Sequence, residues 1–283
     1  MLPVKIYQIE IDEPPHVREL FQAPVGYTLD EVTINLPPGA YTTFRTYHKF
    51  FALHLEDHLR RLEHSAELSG VKLNINWEQI RESLRNVLGI QPHKELRVRI
   101  IVGLSSNDTE KIFILVERLK IPGRADYRNG VCLITRQMYR SNPEAKLTQF
   151  IESTQTIRNQ IPSGVNEILM VREDGLVLEG LTSNFFAIHN GKLITAKTGV
   201  LPGITRSIIL TISEQLGIPI EFDKLLINDI QNVAEAFISS TSRGVLPVKQ
   251  IDQTVIGSPC PGKLTQVIRK KYNERVRKEI LPI

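Results

Sequence analysis

One change of apolar period, between Tyr41 and Gly70, limits what this chain can fold into. Tyr41-Thr42-Thr43-Phe44-Arg45-Thr46-Tyr47 is β-branched and aromatic, which suits a strand. Phe50-Phe51-Ala52-Leu53-His54-Leu55 reads as its hairpin partner. The spacing then becomes helical: Asp57 can cap a helix that carries Leu59, Leu62 and Ala66 and ends near Gly70. A second helix fits Trp77 to Leu88, and Glu95 to Val102 and Lys111 to Val116 read as another antiparallel strand pair. Upstream, Met1-Leu2-Pro3-Val4-Lys5-Ile6 reads as a strand, and so does Val32-Thr33-Ile34-Asn35-Leu36 before the Pro37-Pro38-Gly39 turn. Strands, then two helices, then strands give an α+β domain rather than a βα repeat.

Leu119 to Asn129 carries Pro122, Gly123, Arg124 and Asp126 with little apolar content, so residues 121–129 are expected to be a linker. A smaller domain over 1–120 and a larger one over 130–283 follow. In the second half, strands are expected at Gly130 to Thr135, Glu167 to Val171, Leu176 to Leu178 and Glu235 to Ser240. Asn184 to Ile188 and Lys192 to Thr195 make a hairpin through Asn190-Gly191. Leu246 to Val248 and Val255-Ile256 are short strands. Helices fit Leu147 to Gln160, Thr205 to Leu216 and Gly262 to Glu279.

Composition narrows the class of function. The 283 residues are 41% hydrophobic and carry 35 Lys plus Arg against 31 Asp plus Glu, a net charge of +4. That excess is spread along the chain, suits anionic small ligands and makes no basic stripe for nucleic acid. The two cysteines, Cys132 and Cys260, are far apart and lack ligand spacing, so a reducing compartment is expected and no metal site. His54, His58 and His64 have no HExxH and no carboxylate triad beside them, and no GxSxG elbow occurs. With neither a signal peptide nor a membrane-length apolar run, the expectation is a soluble cytoplasmic protein.

Several short segments carry chemistry in one of two ways. Leu201-Pro202-Gly203-Ile204-Thr205-Arg206 opens a helix: it is either a plain helix start or an anion site of free N–H groups at a positive dipole end. Glu179-Gly180-Leu181-Thr182-Ser183-Asn184 is either a turn with an exposed acid or a carboxylate facing a buried cation. Ser239-Ser240-Thr241-Ser242-Arg243 is a solvated loop or a set of donors for an anion. Arg61, adjacent to Arg60, is a surface ion-pair member or an inward-facing guanidinium. Arg97 and Arg99 share one strand face, as a solvated face or an anion pocket. Lys146 precedes a helix, and composition alone gives it no priority.

Order and spacing of these segments resemble the class IV, or fold-type IV, pyridoxal-phosphate enzymes. That group holds branched-chain amino acid aminotransferases, D-amino acid aminotransferases and aminodeoxychorismate lyases. The resemblance runs from about Gly39 to Val248 and is most specific from Glu167 to Arg206. It implies a two-domain α+β fold, with a smaller N-terminal α+β domain and a larger C-terminal domain with a β-barrel-like core. It also implies pyridoxal 5′-phosphate as cofactor, amino acid and 2-oxo acid substrates, and a homodimer.

Carried over residue by residue, Arg61 of His58-Leu59-Arg60-Arg61-Leu62 matches the family's cofactor-phosphate arginine. Lys146 matches the lysine that joins the cofactor aldehyde, as base and acid in the proton transfer. Glu179 matches the carboxylate on the pyridine nitrogen. Ile204 and Thr205 match the helix end that holds the phosphate, and Thr241 the hydroxyl that completes the cup. Ser242 and Arg243 fall on the turn that meets the substrate carboxylate, and Arg243 could itself bind that group. Tyr41 is a further substrate-side residue, and Arg97 matches the arginine for the distal carboxylate of 2-oxoglutarate or glutamate.

Departures bear on the substrate. Relatives with Phe-Glu or Tyr-Glu near the first hairpin are answered here by Tyr41-Thr42, and the tyrosine after the lysine by Phe150. The tyrosine beside the distal-carboxylate arginine is replaced by Glu95. Val102-Gly103 follows the branched-chain type, where D-amino acid and lyase types carry Arg before the Gly. The expected activity is amino transfer from an L-amino acid, branched-chain in preference, to 2-oxoglutarate. Aminodeoxychorismate lyase and D-amino acid or amine transaminase are the alternatives.

Overall fold

The computed structural model describes residues 3–10, 16–105 and 111–283; the first two residues of the expected N-terminal strand lie outside them. In chain order the elements are β1 (Lys5–Glu10), β2 (His16–Gln22), α1 (Leu29–Thr33), β3 (Gly39–Tyr47), β4 (Phe51–Leu53), α2 (Leu55–Glu67), α3 (Trp77–Gly89), β5 (Leu96–Gly103) and β6 (Ile112–Arg118). Then follow α4 (Arg124–Asn129), β7 (Val131–Gln137), α5 (Thr148–Asn159), β8 (Val165–Val171), β9 (Val177–Gly180), β10 (Asn184–His189) and β11 (Lys192–Thr195). The rest are α6 (Ile204–Gln215), β12 (Ile220–Phe222), a 3-10 turn (Ile227–Asn232), β13 (Glu235–Ser240), β14 (Gly244–Ile251), β15 (Thr254–Val255), α7 (Lys263–Glu279) and β16 (Ile280–Pro282). The chain forms two compact units: Met1–Lys120 with Ala145–Gln155 and Glu279–Ile283, and Ile121–Glu144 with Thr156–Lys278.

The first unit is built on a seven-stranded sheet in the order β16-β4-β3-β5-β6-β1-β2, antiparallel throughout. β5 turns Leu96, Val98, Ile100 and Val102 to one face and Arg97, Arg99 and Ile101 to the other, so alternate residues serve different neighbours. Leu96, Val98, Ile100 and Val102 pack with Leu59 and Leu62 of α2 and Leu84, Val87 and Leu88 of α3. Ile101 joins Tyr41, Phe113 and Leu115 against Leu29, Val32 and Ile151.

Local predictions differ from the structure at three places. Val32 to Leu36 does not form a strand, because the chain there ends the short helix α1. Thr28 Oγ1 accepts from the Glu31 N–H at 3.3 Å, while Glu31 Oε2 accepts from the Thr28 N–H at 2.7 Å. That reciprocal cap outweighs the β-branched composition. Helix α2 starts at Leu55, before Asp57, after a left-handed His54 with φ 51°. Asp57 lies in the first turn and meets His54 Nδ1 at 2.8 Å. Residues 124–129 of the expected linker form α4, whose N-terminal Gly123 N–H donates to Asp126 Oδ2 at 2.8 Å.

The second unit contains a closed sheet. Strands pair as β10-β13-β14-β7-β8-β9, and β9 pairs back with β10, giving a six-stranded barrel extended by β11 and β12. Val131, Leu133, Leu169, Phe185, Ala187, Ala236, Ile238, Leu246 and Val248 cluster on one face of it. The β10–β11 hairpin turns through Asn190 and Gly191, at φ 50° and 74°, as an Asn-Gly type I′ turn requires. Among the described residues, no helix is long and apolar enough to cross a membrane.

Candidate active site

Lys146 belongs to the first unit, although the sequence expectation set it in the second domain. Its segment is tied to the end of β3. The Tyr41 N–H donates to the Lys146 carbonyl at 2.9 Å, and the Gly39 N–H to Thr148 Oγ1 at 2.9 Å. Ser65 of α2 links it to Arg61: the Ser65 hydroxyl donates to the Arg61 carbonyl at 2.7 Å and accepts from the Lys146 N–H at 3.0 Å. Lys146 Nζ stands 4.6 Å from the centre of the Tyr41 ring. Arg61 Nη2 donates to Thr42 Oγ1 at 3.3 Å.

His58, three residues before Arg61, is completely buried, with Nδ1 2.9 Å from the same Thr42 hydroxyl. Burial and the nearby Arg61 and Lys146 cations push its basicity well below the ordinary histidine range. A neutral imidazole therefore sits beside two cations and adds no third charge. The segments that carry Tyr41, Arg61 and Lys146 are thus tied to one another.

Arg97 stands elsewhere on β5. It lies four residues along from Ile101, the register partner of Tyr41, about 13 Å at the strand rise. Its Nε pairs with Glu117 of β6 at 2.9 Å. Arg99, not singled out for the substrate, is nearer to Tyr41, at 4.7 Å from its ring. Its guanidinium meets Asp30 at 2.6 Å and Thr33 Oγ1 at 2.6 Å, and so anchors α1.

In the second unit, Glu179 is 2% exposed at the end of β9. Its Oε1 accepts from Arg140 Nε at 2.7 Å, and its Oε2 from Asn184 Nδ2 at 2.7 Å and the Leu201 N–H at 3.1 Å. These donors hold the carboxylate in one orientation. Leu201 leads into α6, whose N-terminal Gly203 offers no side-chain cap. The first N–H to bond back is that of Ser207, to the Gly203 carbonyl at 3.0 Å, so the N–H groups of Ile204 and Thr205 point out of the helix end. Thr205 is buried there.

Thr241, Ser242 and Arg243 form the turn between β13 and β14. Arg243 does not extend from it alone: Nη2 pairs with buried Glu167 at 3.0 Å and with Thr182 Oγ1 at 2.7 Å. The sequence reading missed His58, Ser65, Arg140, Asn184 and Glu167 as parts of these sites. His58 carries a local signal in its one-turn spacing from Arg61, and Asn184 in its place in the Glu179–Asn184 segment.

Residues 39–251 match the family described as Amino-transferase class IV. A probable branched-chain-amino-acid aminotransferase of Synechocystis is 32% identical over 255 residues, covering 82% of this chain and 76% of that protein. An aminodeoxychorismate lyase of Bacillus subtilis is 24% identical over 260 residues, covering 86% and 87%. Among solved structures, the T.th. branched-chain amino acid aminotransferase with pyridoxamine 5′-phosphate has a TM-score of 0.78 at 19% identity, over 99% of this chain and 98% of that one. Class IV aminotransferases are pyridoxal-phosphate-dependent enzymes. The two-unit α+β architecture with its closed barrel agrees with that fold, and the chain belongs to the class IV aminotransferases.

Proposed function

We propose that this enzyme uses pyridoxal 5′-phosphate to transfer the amino group of an L-amino acid, branched-chain in preference, to 2-oxoglutarate. The observation that carries the reading is the setting of Lys146: a primary amine over the Tyr41 ring, tied through Ser65 to the Arg61 segment, beside a neutral His58. The preference for branched-chain substrates is supported by Val102-Gly103 on β5 and by the name of the Synechocystis relative.

The donor chemistry fits the cofactor. Lys146 is the amine for its aldehyde. Arg61, the Ile204 and Thr205 N–H groups and the Thr241 hydroxyl suit its phosphate dianion. Glu179, held by Arg140, Asn184 and the Leu201 N–H, suits a protonated ring nitrogen. When bound, the cofactor supplies an electron sink for the carbanion at the substrate Cα. The chain's own part is to hold it and move a proton. Lys146 Nζ would join the cofactor aldehyde and, once the substrate amine takes that place, would serve as the base and acid that moves the substrate Cα proton. Glu179 keeps the ring nitrogen protonated. The backbone N–H groups of the Ser242–Arg243 turn would meet the substrate carboxylate, and Arg97, farther along β5 and paired at Nε with Glu117, would take the distal carboxylate of 2-oxoglutarate.

The test is a half-reaction. Holoenzyme mixed with L-leucine should convert its visible absorbance to that of the amine form. No conversion with any L-amino acid overturns the reading. Borohydride should fix the cofactor on the Lys146 peptide, and a Lys146→Ala protein with the same adduct would count against that residue. A second reading, aminodeoxychorismate lyase, is favoured by Thr42 and Phe150 and by the Bacillus subtilis relative. Pyruvate release from aminodeoxychorismate would establish it.

A further inference from the structure

Arg243 is built into the second unit as a brace. The strand ladders around it end early: β10 and β13 pair last at Asn184 and Ser239, and β13 and β14 at Ser240 and Gly244. Two turns stand beyond those last pairs, 181–183 after Glu179 and 241–243 after β13. Side chains join them.

Arg243 Nη2 donates to Glu167 Oε2 at 3.0 Å, to Thr182 Oγ1 at 2.7 Å and to the Thr182 carbonyl at 3.1 Å. Its Nε donates to Ser240 Oγ at 3.1 Å, and its carbonyl accepts from the Tyr127 hydroxyl at 2.7 Å. Glu167 is 2% exposed and also accepts from Thr182 Oγ1 at 2.5 Å and Ser183 Oγ at 3.2 Å. A Cβ on Gly180 would lie 2.5 Å from Ser183 Oγ and 2.7 Å from Glu167 Cγ, so the turn closes directly onto the Glu167 side chain.

The arrangement bears on the expectation that Arg243 binds a substrate carboxylate. Its charge is already balanced by buried Glu167 at 3.0 Å, so a substrate carboxylate there would share a guanidinium whose Nε and Nη2 are engaged within the unit.

We propose that Arg243 is a positioning residue: through Glu167 and Thr182 it locks the Thr241–Ser242 turn to the turn that follows Glu179, and so fixes the Thr241 hydroxyl relative to the Glu179 carboxylate. The consequence for cofactor affinity rests on the pyridoxal-phosphate reading above; the mechanical coupling of the two turns does not. Arg243→Ala should speed amide hydrogen exchange in residues 181–184 as well as in 240–244, in protein free of cofactor. It should weaken pyridoxal 5′-phosphate binding, read by absorbance titration, by about tenfold, the scale of breaking a networked pair. The KM values for leucine and glutamate should keep their ratio.

Arg243→Lys should recover part of the affinity. The paired change Glu167→Gln with Arg243→Met, which leaves no lone buried charge, should lose less than either single change. Those two variants carry the test if Arg243→Ala does not fold. Unchanged exchange at 181–184, or a KM rise confined to the dicarboxylic substrate at unaltered cofactor affinity, overturns the proposal. If the wild-type protein takes up no cofactor, the functional reading fails, and the exchange data still decide the brace.

Discussion

His54 and His58, one turn apart at the start of α2, have their proton affinities moved in opposite directions. Burial disfavours the charged form of His54, but hydrogen bonds to Glu279 at 2.9 Å and Asp57 at 2.8 Å outweigh it and raise its pKa above the ordinary 6.5. His58 has no such carboxylate. Burial, then the Arg61 and Lys146 cations, then His54 itself lower its pKa well below 6.5. Sequence distance of four residues therefore spans two electrostatic environments, one open to acids and one closed around cations.

The signs set a pH dependence. A raised pKa stabilises the fold fully below the unfolded value near 6.5, and that contribution disappears as pH rises through the folded value. A lowered pKa works the other way: the His58 contribution is complete above 6.5 and is lost as pH falls below it. His54→Asn, which accepts the left-handed backbone, should lower the thermal midpoint most below pH 6.5 and least at pH 9. The same variant should show the His58 limb alone, with stability falling from pH 6.5 downward. A difference from wild type that is constant between pH 5.5 and 9 would rule out the His54 ion pairs as its source.

Thr42 is the shared hydroxyl of the first-unit site, within reach of Arg61 Nη2 and His58 Nδ1. Thr42→Val keeps the volume and removes both bonds. Leaving buried polar groups without that partner costs about 1–3 kcal/mol. The expected result is a lower denaturant midpoint together with weaker cofactor binding, and Thr42→Ser should restore both. Equal cofactor affinity in all three proteins would show that Thr42 does not orient Arg61.

Arg140 and Glu179 are 5% and 2% exposed and 2.7 Å apart. Arg140→Ala leaves Glu179 buried with less compensation, for which the loss of stability is about 3–5 kcal/mol. Removing both charges, as Arg140→Met with Glu179→Gln, should cost less than the sum of the single changes in urea unfolding. Additive losses would mean that the two side chains do not act as a pair.

Apolar spacing made α2, α3, α6 and most strands legible, because burial on one face or on both leaves a period in the residues themselves. What spacing could not show was decided by side chains that meet from distant segments. α1 depends on a Thr28–Glu31 cap inside a β-branched run, and on Arg99 reaching it from β5. Lys146 groups with the first unit through single backbone bonds to Tyr41 and Ser65, which no local pattern announces. Glu179 was picked out by its match to a family motif. Arg140, 39 residues away, carries no motif of its own, and only the folded barrel shows why Glu179 can be buried. Arg243 was expected to bind a substrate carboxylate for the same reason: its partner Glu167 is 76 residues earlier.

Gly203 tests how tightly the α6 end is packed on Glu179. Its φ of −73° is open to any residue, so Gly203→Ala introduces no backbone strain. A Cβ there would collide with Asn184 Oδ1. Asn184 cannot swing aside freely, since its Nδ2 donates to Glu179 Oε2 at 2.7 Å and to the Leu201 carbonyl at 2.9 Å. Overpacking of this kind costs about 1–3 kcal/mol. Gly203→Ala should therefore lower the urea midpoint and weaken cofactor binding together, because the displaced side chain is one of those that orient Glu179. Asn184→Ala relieves the collision, so the double variant should be less destabilised than the two single losses summed. A Gly203→Ala protein with wild-type stability and affinity would show that the helix end has room to spare, and that a bare glycine is not what keeps Asn184 on Glu179.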